Sequence, residues 1–106
     1  MGDTSEREIL EKIADVRSKS SKQASEIKND FAKMQKLKAD SLKKIEEMMQ
    51  NAENDMEKIE QKVAKSKDLA PESIHRLNVE ISDAKQQLRE KYVDLKRRVS
   101  AAIVPE

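Results

Sequence analysis

The sequence predicts an all-α chain of long amphipathic helices folded into an antiparallel coiled-coil hairpin. Three observations carry that expectation: a composition suited to helices, an apolar row recurring at helical spacing on both sides of Pro71, and blocks of opposite charge that a fold at Pro71 sets side by side. The chain has 106 residues with one glycine, two prolines and 41% charged residues. Ala, Lys, Glu, Gln, Met, Arg and Leu dominate, which suits helix far better than sheet and turn. Leu, Ile, Val and Phe total only 22 residues and aromatics 2%, so a compact core is hard to build. The net charge of +1 does not force the chain to expand, and helical order is open to it.

Residues 1–4 carry no helical signal and are expected to be disordered. Ser5 and Glu8 form an S-x-x-E capping box just ahead of Ile9, which predicts a helix start there and a first helix over residues 5–67. Its apolar row runs Ile13, Val16, Ser20, Ala24, Ile27, Phe31, Met34, Lys38, Leu42, Ile45, Met49, Ala52, Met56, Ile59, Val63. Fourteen steps cover 50 residues, a mean of about 3.57, between a heptad seam and a straight helix, so any supercoil is weak and left-handed. Consecutive steps of four around Ser20 and Lys38 are stutters that unwind the coil locally. Lys38 is read as lying along the seam with its ammonium carried out to water. The alternative is a break at 38–41 with Asp40 or Ser41 as N-cap. The serine-rich run SKSSKQAS at 18–25 marks a second candidate joint.

Pro71 lacks a backbone donor, opposes helix at the residue before it, and fits the first turn of a new helix. A turn is therefore expected at 68–71, with Asp68 capping the next helix and Glu72 favouring its start. A second row follows: Ile74, Leu77, Ile81, Ala84, Leu88, Tyr92, Leu95, Val99, Ala102. It predicts a second helix over 72–103, leaving a C-terminal tail at 104–106. Charge decides between a turn and a mere kink. Residues 46–60 carry Glu46, Glu47, Glu53, Asp55, Glu57 and Glu60 against Lys58, whereas residues 84–98 carry Lys85, Arg89, Lys91, Lys96, Arg97 and Arg98 against Glu90 and Asp94. Folding back sets the two blocks beside each other, and flanking charges choose partner and direction even where an exposed pair contributes only about 0.2–1 kcal/mol. The hairpin should pair roughly 36–67 with 72–103.

That pairing leaves residues 5–35 with an uncovered row containing Ile13, Val16, Ile27, Phe31 and Met34. An isolated helix of this length is marginal in water, because helices draw most of their stability from burying such a face. A break near Asp40 would let the arm fold back into a three-helix bundle, the layout of spectrin-like repeats, although that family's tryptophan positions are missing. An unbroken helix of about 95 Å would instead pair with a second copy or with another helical protein. A third solution reserves the row for a lipid surface.

Chemistry is sparse. With no cysteine there is neither a disulfide framework nor a thiolate metal site, and His75 has no second histidine to share a metal with, so no cofactor, metal or small-molecule substrate is expected. Adjacent carboxylates such as Glu46 and Glu47 point about 100° apart on a helix, and a two-layer coil offers no pocket to shift their pKa values, so no catalytic pair is expected. The only glycine is Gly2, which excludes a phosphate-binding loop in the helical region. Met34, Met49 and Met56 lie on the row and read as core filler, with Met48 beside it. No apolar run approaches the ~20 residues of a membrane span, and no apolar signal segment opens the sequence, so a soluble protein is expected. Its compartment is cytoplasmic, or extracellular if Met1 and Gly2 precede a mature secreted chain.

The stretch 17–44 is basic. Arg17, Lys19, Lys22, Lys28, Lys33, Lys36, Lys38, Lys43 and Lys44 stand against Glu26, Asp30 and Asp40, and Lys19, Lys22, Lys28, Lys33 and Lys36 form a candidate basic face. Nucleic acid is disfavoured because one Tyr and one Phe make no stacking platform. The acidic arm 3–15 would neutralise the same basic patch on an antiparallel neighbour. In style the chain also resembles exchangeable apolipoproteins, which are highly charged, cysteine-poor, Lys- and Glu-rich amphipathic helices broken by proline. That resemblance implies an anionic lipid or membrane surface as partner and a secreted protein. The narrow row and the absence of tryptophan weigh the other way. The sequence therefore favours a non-enzymatic coiled-coil protein that binds itself, most simply as a homodimer, or another helical protein through an apolar seam.

Overall fold

A computed structural model describes residues 5–106, and the disorder expected at 1–4 lies outside the described residues. The described chain is all-helical: α1 runs from Glu6 to Lys65 and α2 from Pro71 to Ala101. The start of α1 follows the predicted chemistry in part. The Glu8 N–H donates to Ser5 Oγ at 3.2 Å and the Ile9 N–H to the Ser5 carbonyl at 3.2 Å, so one half of the capping box is in place. Glu6 and Glu8 in the first turn and Lys62 and Lys65 in the last complement the helix dipole.

The helix continues through both 18–25 and 38–41. With neither glycine nor proline inside α1, the serines cost only a few tenths of a kcal/mol each, too little to stop a helix once it is nucleated. The two-helix arrangement is formed, and the three-helix bundle, which needs the break near Asp40, is not.

The link between the helices is Ser66–Ala70, slightly earlier than the 68–71 expected. The Ser66 N–H closes on the Val63 carbonyl at 3.3 Å, a tightened final turn of the kind common at helix ends. Asp68 does not cap α2. The N-cap is Ala70, at φ −64° and ψ 151°, with no side-chain cap. The reason lies in Pro71, the first residue of the helix. Its ring forces Ala70 into extended backbone and makes Ala70 the N-cap, which leaves Asp68 two residues ahead of the capping position. The first helical bond then runs from the Ile74 N–H to the Ala70 carbonyl at 3.0 Å.

The chain divides into two units, one spanning Leu37–Ile103 and the other containing the residues up to Lys36 together with Val104–Glu106. In the first unit the two helices pack against each other with antiparallel register. Lys38 meets Ser100 and Ala102, Glu46 meets Tyr92 and Lys96, and Glu60 meets Lys85, so rising numbers on α1 meet falling numbers on α2. The core is a single seam. Ile45, 8% exposed, is its one buried residue, and Leu42, Met49, Ala52, Met56 and Val63 are half-buried on α1. On α2 the half-buried members of the seam are Ile74, Ile81, Ala84, Leu88, Tyr92 and Val99. A seam two helices wide has no third layer to close it, which is why almost every member keeps an open edge.

Candidate interaction surfaces

A cluster of polar contacts joins the two helices beside the hairpin's most buried residue. One position after Ile45, the Glu46 carboxylate accepts from the Tyr92 hydroxyl at 2.5 Å and from the Lys96 ammonium at 2.9 Å, and that ammonium also reaches the Tyr92 oxygen at 3.1 Å. It sits 5.4 Å from the Tyr92 ring centre, within cation–π range. The Tyr92 and Lys96 hydrogen bonds hold the Glu46 carboxyl below its ordinary value, and the bond to Glu46 holds Lys96 above its own. A second ion pair, Lys85 with Glu60, joins the same two charge blocks nearer the turn. Both pairs are roughly half exposed, so their role is to fix direction and register more than to supply stability. Arg97 and Arg98 do not reach the acidic block. They pair instead with Asp94 on their own helix, at 2.9 and 3.1 Å, and lower its pKa chiefly through the Arg97 hydrogen bond.

Lys38 departs from the expectation of an ammonium carried out to water. Its side chain is half-buried, and Nζ donates to the carbonyls of Ser100 at 3.1 Å and Ala102 at 2.8 Å, the open C-terminal end of α2. The last carbonyls of a helix have no partner within it and carry the negative end of its dipole, so a cation from the neighbouring helix satisfies both. A lysine on an apolar row gave no hint of this, because only the register of the hairpin puts a helix end opposite position 38.

Within the hairpin, three predicted seam members are more exposed than the rest: Ile59 at 44%, Leu77 at 38% and Leu95 at 40%. At Ile59 the neighbouring edge is taken by half-buried Glu60, drawn in by Lys85. Beside the seam lies a shallow groove of about 300 Å³, floored by Met49, Met56 and Leu88 and rimmed by Glu53, Lys85 and Arg89. Among the described residues no cluster of His, Asp and Glu is arranged to hold a metal ion, and no helix is long and apolar enough to cross a membrane. His75 is exposed.

The other unit presents a different surface. Ile9 (48% exposed), Ile13 (43%), Val16 (64%), Ile27 (52%) and Met34 (49%) form an uncovered row, widened by Leu10 at 56%. Phe31 alone among them is half-buried, in the unit where the Gln35 amide donates to the Pro105 carbonyl at 3.0 Å and where Val104 is also half-buried. The tail at 104–106 thus belongs with this surface, a placement no sequence signal announced. Lys22, Lys33 and Lys36 lie on the side away from the row, at about 100° per residue, while Lys19 and Lys28 flank it. All five are exposed. Comparison with protein-family models, with curated proteins and with solved structures finds no significant match.

Proposed function

We propose that this chain is a non-enzymatic helical interaction protein, whose hairpin acts as a self-supporting clip and whose N-terminal half of α1 is the binding element. The observation that carries this reading is the contrast within one helix. From Leu42 to Val63 every member of the apolar row except Ile59 is buried or half-buried, whereas Ile9, Ile13, Val16, Ile27 and Met34 are left 43–64% exposed at the same spacing. Apolar residues at strict helical period on one face are what a helical partner buries, and each fully covered Leu, Ile or Met contributes about 1.5–3 kcal/mol. A second copy of the chain or another helical protein supplies such a face.

The test is association measured by sedimentation over a concentration range, with wild type and Phe31→Asp compared. Mass rising with concentration in the wild type and not in the variant supports the reading. A second reading, an anionic lipid surface, rests on the same uncovered row together with exposed Lys19 and Lys28 at its flanks. Helicity and co-sedimentation with phosphatidylserine vesicles separate the two: a lipid-binding chain moves to the vesicles at low salt, while a protein-binding one stays in solution.

A further inference from the structure

The direction and register of a mate for the N-terminal row can be read from the charges at its edges. At about 100° per residue the row from Ile9 to Met34 occupies one stripe of about 80°. Lys12, Lys19 and Asp30 border it on one side and Arg17 and Lys28 on the other, all of them exposed. We infer, on the basis of the self-association proposed above, that this segment pairs antiparallel with the same segment of a second copy, about a two-fold axis near residues 23 and 24. In that register Ile13 lies opposite Met34 of the second copy, Val16 opposite its Phe31 and Ser20 opposite its Ile27. Every large residue of the row between Ile13 and Met34 meets another apolar residue or a small one.

Edge charges favour this orientation over its reverse. In an antiparallel pair like edges face each other, so Asp30 stands between Lys12 and Lys19 of the second copy, twice by symmetry. A parallel pair instead sets Lys12 beside Arg17 of the second copy and gives Asp30 only Gln35. Sliding the antiparallel pair by one heptad leaves Met34 facing Glu6 in one direction and Val16 facing Lys38 in the other. At longer range the acidic end, with Glu6, Glu8, Glu11 and Asp15, lies along the basic end, with Lys28, Lys33 and Lys36. Two contacts oppose the arrangement: Ile9 faces Lys38 of the second copy, and Arg17 faces its Lys28. The repulsion at Arg17 supplies a test.

The chain has no cysteine, so introduced thiols report without interference. Under mild oxidation Ala24→Cys should link to itself, and a mixture of Ile13→Cys with Met34→Cys should give the mixed disulfide. Ile13→Cys alone should not link, its two copies lying about 30 Å apart along the axis at about 1.5 Å per residue. Lys28→Glu, at an exposed position that needs no repacking, should tighten dimerisation about fivefold by turning the Arg17 contact from repulsive to attractive. Self-linking of Ile13→Cys, failure of Ala24→Cys to link, or an affinity unchanged or weakened by Lys28→Glu overturns the antiparallel register while leaving self-association standing. A wild-type chain that sediments as a monomer at every concentration removes the proposed function itself.

Discussion

The two halves of α1 are built from the same materials and end in different states. Both repeat apolar residues at steps of three and four, both are dense in Lys and Glu, and both are unbroken helix. Yet Ile45 in the second half is 8% exposed, while Val16 in the first is 64% exposed. The difference is the neighbour. Pro71 turns the chain so that α2 lies along residues 38–63, and α2 ends at Ala101, where the carbonyls of Ser100 and Ala102 meet Lys38. Helical periodicity therefore identifies a face that can be buried, and a helix lying alongside decides whether it is.

The comparison breaks most sharply at Ile45. Ile45→Asp places a charge at the only buried position of the seam and should cost about 3 kcal/mol or more, enough to abolish a cooperative thermal transition of the hairpin followed by circular dichroism. The matching change in the other half, Phe31→Asp, should leave that transition in place and remove the concentration dependence of the sedimentation coefficient. If Phe31→Asp melts α2 as thoroughly as Ile45→Asp does, the two halves are not separate in the way described.

A smaller effect sharpens the role of Lys38. Lys38→Met keeps the side chain's apolar length but removes the donor to Ser100 and Ala102, and should cost about 1–2 kcal/mol, with faster hydrogen exchange confined to the last turn of α2. Uniform loss of protection along α2 would mean that the ammonium does more than cap its end.

The smallest expected effect is a dependence on pH at Glu46 and Lys96. Glu46 has its folded pKa lowered by Tyr92 and Lys96, so its contribution is present above the unfolded carboxylate range and is lost as pH falls through the folded value. Lys96 has its folded pKa raised by Glu46, so its contribution is complete below the unfolded lysine range and is lost as pH rises through the folded value. Hairpin stability should decline gently at the acid and alkaline ends, and Glu46→Gln should flatten the acid limb. Equal acid limbs for the two proteins would place the responsible carboxylate elsewhere.

The helical class, the turn near Pro71 and the antiparallel direction were legible in the sequence because each rests on local rules: propensity, the restriction a proline imposes on its predecessor, and block charge. Details fixed by the meeting of distant residues were not. Asp68 looked like a cap because cap preference is read along the chain, whereas Pro71 at the first helical position puts Ala70 at the cap. Lys38 read as an ammonium carried out to water because its acceptors, Ser100 and Ala102, lie more than sixty positions away. Arg97 and Arg98 counted toward the basic block until Asp94, three and four residues before them, claimed both. Tyr92 was legible as a seam aromatic, but its bond to Glu46 follows only from the register.

The most direct test is hydrogen exchange of individual amides at several protein concentrations. Protection of residues 71–101 should stay constant, because the hairpin supplies its own second helix, while protection of residues 9–34 should climb as the concentration rises and a mate becomes available. Protection of residues 9–34 that is already high at the lowest concentration and does not change would contradict the account.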